Sequence, residues 1–198
     1  MTHLTQDELM ARLQEPPQVR AEDIARICGA FEMAEDVHRY QERPDGTPYF
    51  WHVTRVAKIL LVELNLRDPD LMCASLLHDA LEDSDVLTPR IIELNFGPYV
   101  AYLVQTLTKD YRADPTKRDE INREYVKRIA EATDDARVVK LADRLDNFRC
   151  LAFHLKSNPI RYINETIEWY TPMVAKSKNP HLHYLMREIQ KEQNRFLG

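Results

Sequence analysis

Leu76-Leu77-His78-Asp79-Ala80-Leu81-Glu82-Asp83 places two ionisable residues directly behind an apolar run and two more one helical turn later. The run starts at Met72-Cys73-Ala74-Ser75. Burying an ionisable group is costly unless it is paired or ligated, so His78-Asp79 at the end of such a segment points to a site. At about 3.6 residues per turn, His78, Asp79, Glu82 and Asp83 fall within roughly 140° on one side of a helix, as two i,i+4 pairs. One small site can use all four.

Working outward, Asp68-Pro69 is an N-cap followed by proline at the first helical position, and it opens the helix that carries His78 and Asp79 and ends near Glu82 to Ser84. The same signal recurs at Thr88-Pro89, Asn158-Pro159 and Asn179-Pro180. Upstream, a helix from Phe50 buries Val53, Val56, Ala57, Leu60, Leu61 and Leu64, with His52 facing inward from its first turn. Before it, Ile24, Ile27, Cys28 and Phe31 recur at helical spacing from Ala21, and the pattern can run to His38 and Gln41 before the loop Arg43-Pro44-Asp45-Gly46-Thr47-Pro48. Thr5-Gln-Asp-Glu8 reads as a capping box for a short first helix that ends at Pro16-Pro17.

Downstream, Asn95-Phe96-Gly97 stops one helix, and Val100, Leu103, Val104 and Leu107 mark the next. Lys109 to Lys117 has no apolar period and reads as an exposed loop, followed by a charged helix resting on Ile121, Tyr125 and Ile129. Thr133-Asp-Asp opens a long helix with Val138, Leu141, Ala142, Leu145, Phe148 and Ala152 on its apolar face. Two final helices carry Ile160, Ile163 and Ile167, and then Leu182, Leu185, Met186 and Ile189. Trp51, Trp169 and Tyr170 read as packing residues. No alternating strand pattern appears, so the expected fold is all-α, a compact bundle of about ten helices in one domain over residues 1–198.

A net charge of −5 argues against a broad nucleic-acid face, while leaving room for a small anionic substrate held by a metal and a few cations. The basic residues between Lys109 and Arg128 are interleaved with acidic ones, which reads as a solvated face. Cys28, Cys73 and Cys150 are odd in number and lack metal-ligand spacing, which suits a reducing cytoplasm. No apolar run reaches membrane-span length, and Met1 to Glu15 lacks a signal-peptide core. A soluble, unexported protein is expected, with no membrane or nucleic-acid partner. The surface helices leave a homo-oligomer open.

Hard divalent ions prefer carboxylates with a few imidazoles, and a catalytic site keeps positions open for water and substrate. His52, His78, Asp79 and Asp143 supply such a set. Taken singly, each has a bland reading: His52 as a helix-start residue, Asp143 paired with Arg144, Glu82-Asp83 as a solvated helix end. His78-Asp79 resists it because of the apolar run, as does Asp143 within Lys140-Leu141-Ala142-Asp143-Arg144-Leu145.

The order His52, His78-Asp79, Asp143 resembles that of HD-superfamily metal phosphohydrolases. The blocks His38-x-x-Gln41-x-Arg43-x-x-Gly46-x-Pro48-Tyr49-x-x-His52, Leu76-Leu77-His78-Asp79-x-x-Glu82-Asp83, Phe96-Gly97 to Thr108-Lys109, Lys140 to Asn147 and Glu165-Thr166 to Tyr170-x-Pro172 resemble the hydrolase domain of RelA/SpoT-type alarmone enzymes. The resemblance covers residues 21 to 175 and is closest to a free-standing small alarmone hydrolase. It implies removal of the 3′-pyrophosphate of ppGpp and pppGpp, the alarmones of the stringent response, with one manganese ion. The implied metal ligands are His52, His78, Asp79 and Asp143; Glu82 and Asp83 are the catalytic pair that positions and deprotonates water or assists the leaving group, Asn147 contacts the nucleotide and Arg43 lies at the nucleobase side.

Pro44, Val53 and Cys150 depart from the family pattern, so ppApp stays open as a substrate; Asp146, where long enzymes often carry His, is compatible with the free-standing branch. Other phosphohydrolase activities, on the 2′-phosphate of NADPH or on ordinary nucleotides, and a non-catalytic alarmone-binding or antitoxin-like module are the rival readings. Glu82-Asp83 argues against a pure binder, which needs no water-activating pair.

Overall fold

The computed structural model describes residues 2–109, 115–152 and 158–198. Among these, the regular structure is helical throughout: eleven α-helices, one π-helical turn and one 3-10 turn. An isolated antiparallel bridge, Glu42 to Pro48, is the sole β feature among the described residues. No helix there is long and apolar enough to cross a membrane. The chain divides into two compact units, one running to Glu42 and resuming over Thr47–Thr108, the other made of Arg43–Gly46 and the described residues from Lys109 to Gly198.

The first unit contains α1 (Gln6–Gln14), α2 (Ala21–Val37), α3 (Phe50–Lys58) with its π-helical continuation Ile59–Glu63, α4 (Pro69–Leu77), α5 (Ala80–Asp83), α6 (Pro89–Phe96) and α7 (Pro98–Leu107). Its centre is α4, which packs against α2, α3 and α7. Every residue from Leu71 to Leu77 is buried, which is why the sequence there is apolar all round instead of striped. The expected starts hold: the Asp68 carboxylate accepts from Asp70 N and Leu71 N, Thr88 caps α6, and Thr5 with Glu8 forms the capping box of α1. Trp51 packs as expected, stacked on the His3 ring with centroids 4.5 Å apart.

Two boundaries differ from the sequence reading. Helix α2 stops at Val37, short of Gln41, because the Glu42–Pro48 bridge and the Tyr49 N to Gln41 O bond of 2.9 Å hold the chain out of helical geometry there. The helix bearing the His-Asp pair is also not continuous. It breaks after Leu77, and α5 restarts at Ala80 with Asp79 as its N-cap residue. The Asp79 carboxylate makes no capping bond and turns to other partners, so the four polar residues reach their site from two short helices.

The second unit holds α8 (Arg118–Glu131), preceded by the 3-10 turn Pro115–Lys117, then α9 (Asp134–Arg149), α10 (Pro159–Ala175) and α11 (Pro180–Leu197). Its centre is α9, packed against α8 and α11. Thr133 and Asn158 cap α9 and α10 as their sequence predicts. Ala152 lies past the end of α9 and is exposed, with Leu151 buried in its place, and Ile160 is 47% exposed on the first turn of α10. Most of the loop expected from Lys109 to Lys117 falls outside the described residues.

Two glycines give opposite expectations. Gly97, at the α6–α7 junction, has φ +94°, whereas a Cβ on helical Gly29 meets only Phe96 Cε1 at an ordinary 3.8 Å. Gly29→Ala is expected to raise the unfolding free energy by about 0.5–1 kcal/mol and Gly97→Ala to lower it by about 1–3 kcal/mol, read from urea denaturation.

Candidate metal centre

In the first unit, His52, His78 and Asp79 meet. His52 is fixed in the first turn of α3, where its amide donates to Tyr49 O at 2.8 Å, and its ring is 1% exposed. His78 closes α4 and is equally buried. Asp79 Oδ2 lies 3.2 Å from His78 Nε2 and 3.7 Å from His52 Nε2, and the two imidazoles stand edge to face with centroids 5.3 Å apart. The Tyr49 hydroxyl donates to the same Oδ2 at 2.6 Å.

The tautomer of His78 follows from its other nitrogen. Nδ1 is 2.8 Å from Ser75 O, and a carbonyl only accepts, so Nδ1 carries a proton and Nε2 is the ring nitrogen that can ligate on the Asp79 side. A neutral imidazole nitrogen and a carboxylate oxygen at this separation repel unless a proton or cation lies between them. The donor set, imidazole nitrogen with carboxylate oxygen, therefore fits a divalent metal ion, and the Ser75 carbonyl is the kind of outer partner that fixes a ligating imidazole.

The catalytic candidates lie beside this group. Glu82 is half-buried, and the Asp83 side chain is 28% exposed. Partial burial, together with the Asp79 charge, pushes the Asp83 carboxyl above its usual range, against the opposing pull of His38 and a hydrogen bond from Gln41. His38 Nδ1 is 3.7 Å from Asp83 Oδ2 and donates to Gln41 Oε1 at 2.5 Å. That bond turns the Gln41 amide nitrogen towards Asp83, so His38 and Gln41 act in series to orient a carboxylate whose raised affinity for protons suits acid–base work.

In the second unit, Asp143 is buried on α9 and both its oxygens are engaged. Oδ2 accepts from Lys140 Nζ at 2.6 Å and Oδ1 from Asn147 Nδ2 at 2.6 Å. Burial, the largest influence, lowers the Lys140 pKa, but the Asp143 carboxylate together with Tyr125 and Tyr170 more than offsets it and keeps the ammonium charged. Arg43 Nη2 donates to Asn147 Oδ1 at 3.4 Å and lies 3.9 Å from the fully buried Asp146 carboxylate. Asp143 also acts electrostatically on the neighbouring Arg144, the pairing considered from sequence, alongside its bonds with Lys140 and Asn147. The Arg144 guanidinium lies over the Tyr162 and Tyr170 rings, at 4.6 and 5.4 Å from their centroids.

An HD-domain family model matches residues 30–178. This chain belongs to the HD-domain family. The chain is 35% identical over 177 residues to the GTP pyrophosphokinase rsh of Brucella melitensis, covering 87% of this chain and 23% of that protein. It is 32% identical over 178 residues to the guanosine-3′,5′-bis(diphosphate) 3′-pyrophosphohydrolase MESH1 of Mus musculus, covering 86% of this chain and 96% of that one. The chain thus spans about a quarter of the length of the longer relatives it matches. Among solved structures, a metazoan ortholog of SpoT that hydrolyses ppGpp and plays a role in starvation responses matches with a TM-score of 0.71 at 31% identity, covering 85% of this chain and 96% of that one.

Sequence reasoning gave no role to His38, Gln41, Tyr49 or Lys140. Each stood inside a quoted block, and Lys140 at three residues before Asp143 carried the helical pairing signal. His38 generates a prediction. Burial, the largest influence, holds its pKa below the ordinary 6.5. The unfolded chain then binds the proton more readily, so His38 makes unfolding free energy fall as pH drops through about 6.5 towards the depressed value. In metal-free protein, His38→Gln is expected to flatten that part of the stability–pH profile measured by urea unfolding; an unchanged slope would remove His38 from the account.

Proposed function

We propose that this chain hydrolyses the 3′-pyrophosphate of ppGpp and pppGpp, giving pyrophosphate with GDP or GTP, as a single metal-dependent hydrolase domain over residues 1–198. The observation that carries the reading is the convergence of the His52 and His78 Nε2 atoms on one Asp79 oxygen, in a chain that matches 96% of the length of a pyrophosphohydrolase. His52, His78, Asp79 and Asp143 are the proposed ligands, with manganese as the ion. The cytoplasm is the proposed location.

A divalent cation in such a site lowers the pKa of water and offsets phosphate charge. The chain's own residues supply the rest. Glu82 and Asp83 hold the attacking water and accept its proton, a role that the upward-shifted Asp83 carboxyl suits. The water oxygen bonds to the phosphorus attached at the 3′ oxygen, the bond to that oxygen breaks, and the leaving oxygen takes a proton. Arg43 and Asn147 orient the nucleotide, because in-line displacement gains most from positioning. ppApp enters as a second substrate through the same contacts.

The test is product identification with manganese-loaded protein and ppGpp, ppApp or NADPH supplied separately. Pyrophosphate from ppGpp, lost on chelation with EDTA, is the expected result. Glu82→Ala is expected to keep the metal and lose about 10²- to 10⁴-fold in kcat, whereas His78→Ala and Asp79→Ala lose the metal. Inorganic phosphate released from NADPH alone would move the activity to a phosphatase, and absence of turnover with metal bound would leave a binding module.

A further inference from the structure

We infer that Tyr49 is a positioning residue for the metal centre, its hydroxyl being the outer hydrogen-bond partner that aims the Asp79 carboxylate at the ion. This rests on the ligand part of the proposed function and not on the identity of the substrate.

Three groups converge on one oxygen. The His78 and His52 nitrogens lie 3.2 and 3.7 Å from Asp79 Oδ2, on the side where a shared cation would bind, and the Tyr49 hydroxyl donates to that atom at 2.6 Å. A carboxylate oxygen has two lone pairs, so Oδ2 can accept from the phenol and still present a second pair to a metal. The phenol is neutral, so it orients the carboxylate without competing for it as a second cation would. Ligating carboxylates are commonly hydrogen-bonded in this way, and loss of such an outer partner typically costs 10- to 100-fold in metal affinity or activity.

The arrangement is built to hold the hydroxyl still. Tyr49 is the N-cap residue of α3, one turn before His52, so ligand and positioner share one rigid start. Its amide donates to Gln41 O at 2.9 Å beside the Glu42–Pro48 bridge, which fixes the backbone. Its ring lies against those of His38 and His52, with centroids 5.0 and 5.5 Å away. Asp79 makes no capping bond with the α5 backbone, so its carboxylate direction is set by side-chain partners. Tyr49→Phe keeps the ring packing and removes only the donor.

The experiment titrates manganese alone into metal-free protein and reads free Mn²⁺ by its solution EPR signal, for the wild type, Tyr49→Phe and Tyr40→Phe. Tyr40 is 91% exposed and supplies the same substitution away from the centre. The expected result is Mn²⁺ affinity 10- to 100-fold weaker in Tyr49→Phe, unchanged in Tyr40→Phe, with the metal-free melting temperature of Tyr49→Phe close to wild type. Turnover of Tyr49→Phe is expected to recover towards wild type at saturating manganese, as a positioner and not a proton donor would allow. Affinity within twofold of wild type overturns the inference, as does a loss matched by a fall in metal-free stability. A wild type that shows no saturable manganese binding overturns the ligand set itself, and the inference with it.

Discussion

The Asp79 carboxylate is the constraint on which the first unit turns. It is held by the Tyr49 phenol and faces two buried imidazoles, and α5 begins without a side-chain cap. The break between α4 and α5 falls at this residue. It is supportable because α4 is surrounded by α2, α3 and α7, so its position does not depend on hydrogen bonds at its C-terminal end. Tertiary burial supplies most helix stability, which lets a helix as short as α4 end at His78.

Much of the fold was legible because its boundaries are written in local chemistry. Asp68-Pro69, Thr88-Pro89, Asn158-Pro159 and Asn179-Pro180 each start a helix where the side-chain oxygen satisfies exposed backbone amides and proline sacrifices none. The misread ends have non-local causes. Nothing in Val37-His38-Arg39-Tyr40-Gln41 forbids helix; the stop comes from pairing with Pro48 and Tyr49 beyond the loop. The interruption at His78-Asp79 is likewise set by partners from α3, which helical periodicity cannot register. Ile160 shares helical spacing with Ile163 and Ile167, yet it lies in the exposed first turn of α10, while Ile163 is buried.

The candidate site divides along the same line. Ionisable residues inside apolar runs stood out, since burial makes them expensive without partners. The residues that hold them did not: a tyrosine, a glutamine and a second histidine have ordinary reasons to occur anywhere, and their work depends on distances of 2.5–2.6 Å that spacing does not encode. Motif resemblance gathered these residues into blocks, and only coordinates assign them tasks.

On α9 the logic is electrostatic. Lys140, Asp143, Arg144 and Asp146 are all buried, an arrangement tolerable only if each charge has a specific answer. Lys140 answers Asp143, and the tyrosine rings shield Arg144 through cation–π contact. Asp146 faces Arg43, whose guanidinium also reaches Asn147, and Asn147 in turn donates to Asp143. Arg43 and the Asp143 carboxylate are thus linked through one amide, whose oxygen accepts at one end while its nitrogen donates at the other. The two bonds share one rigid amide plane, so a rotation of Asn147 that gives up its bond to Arg43 also disturbs its bond to Asp143.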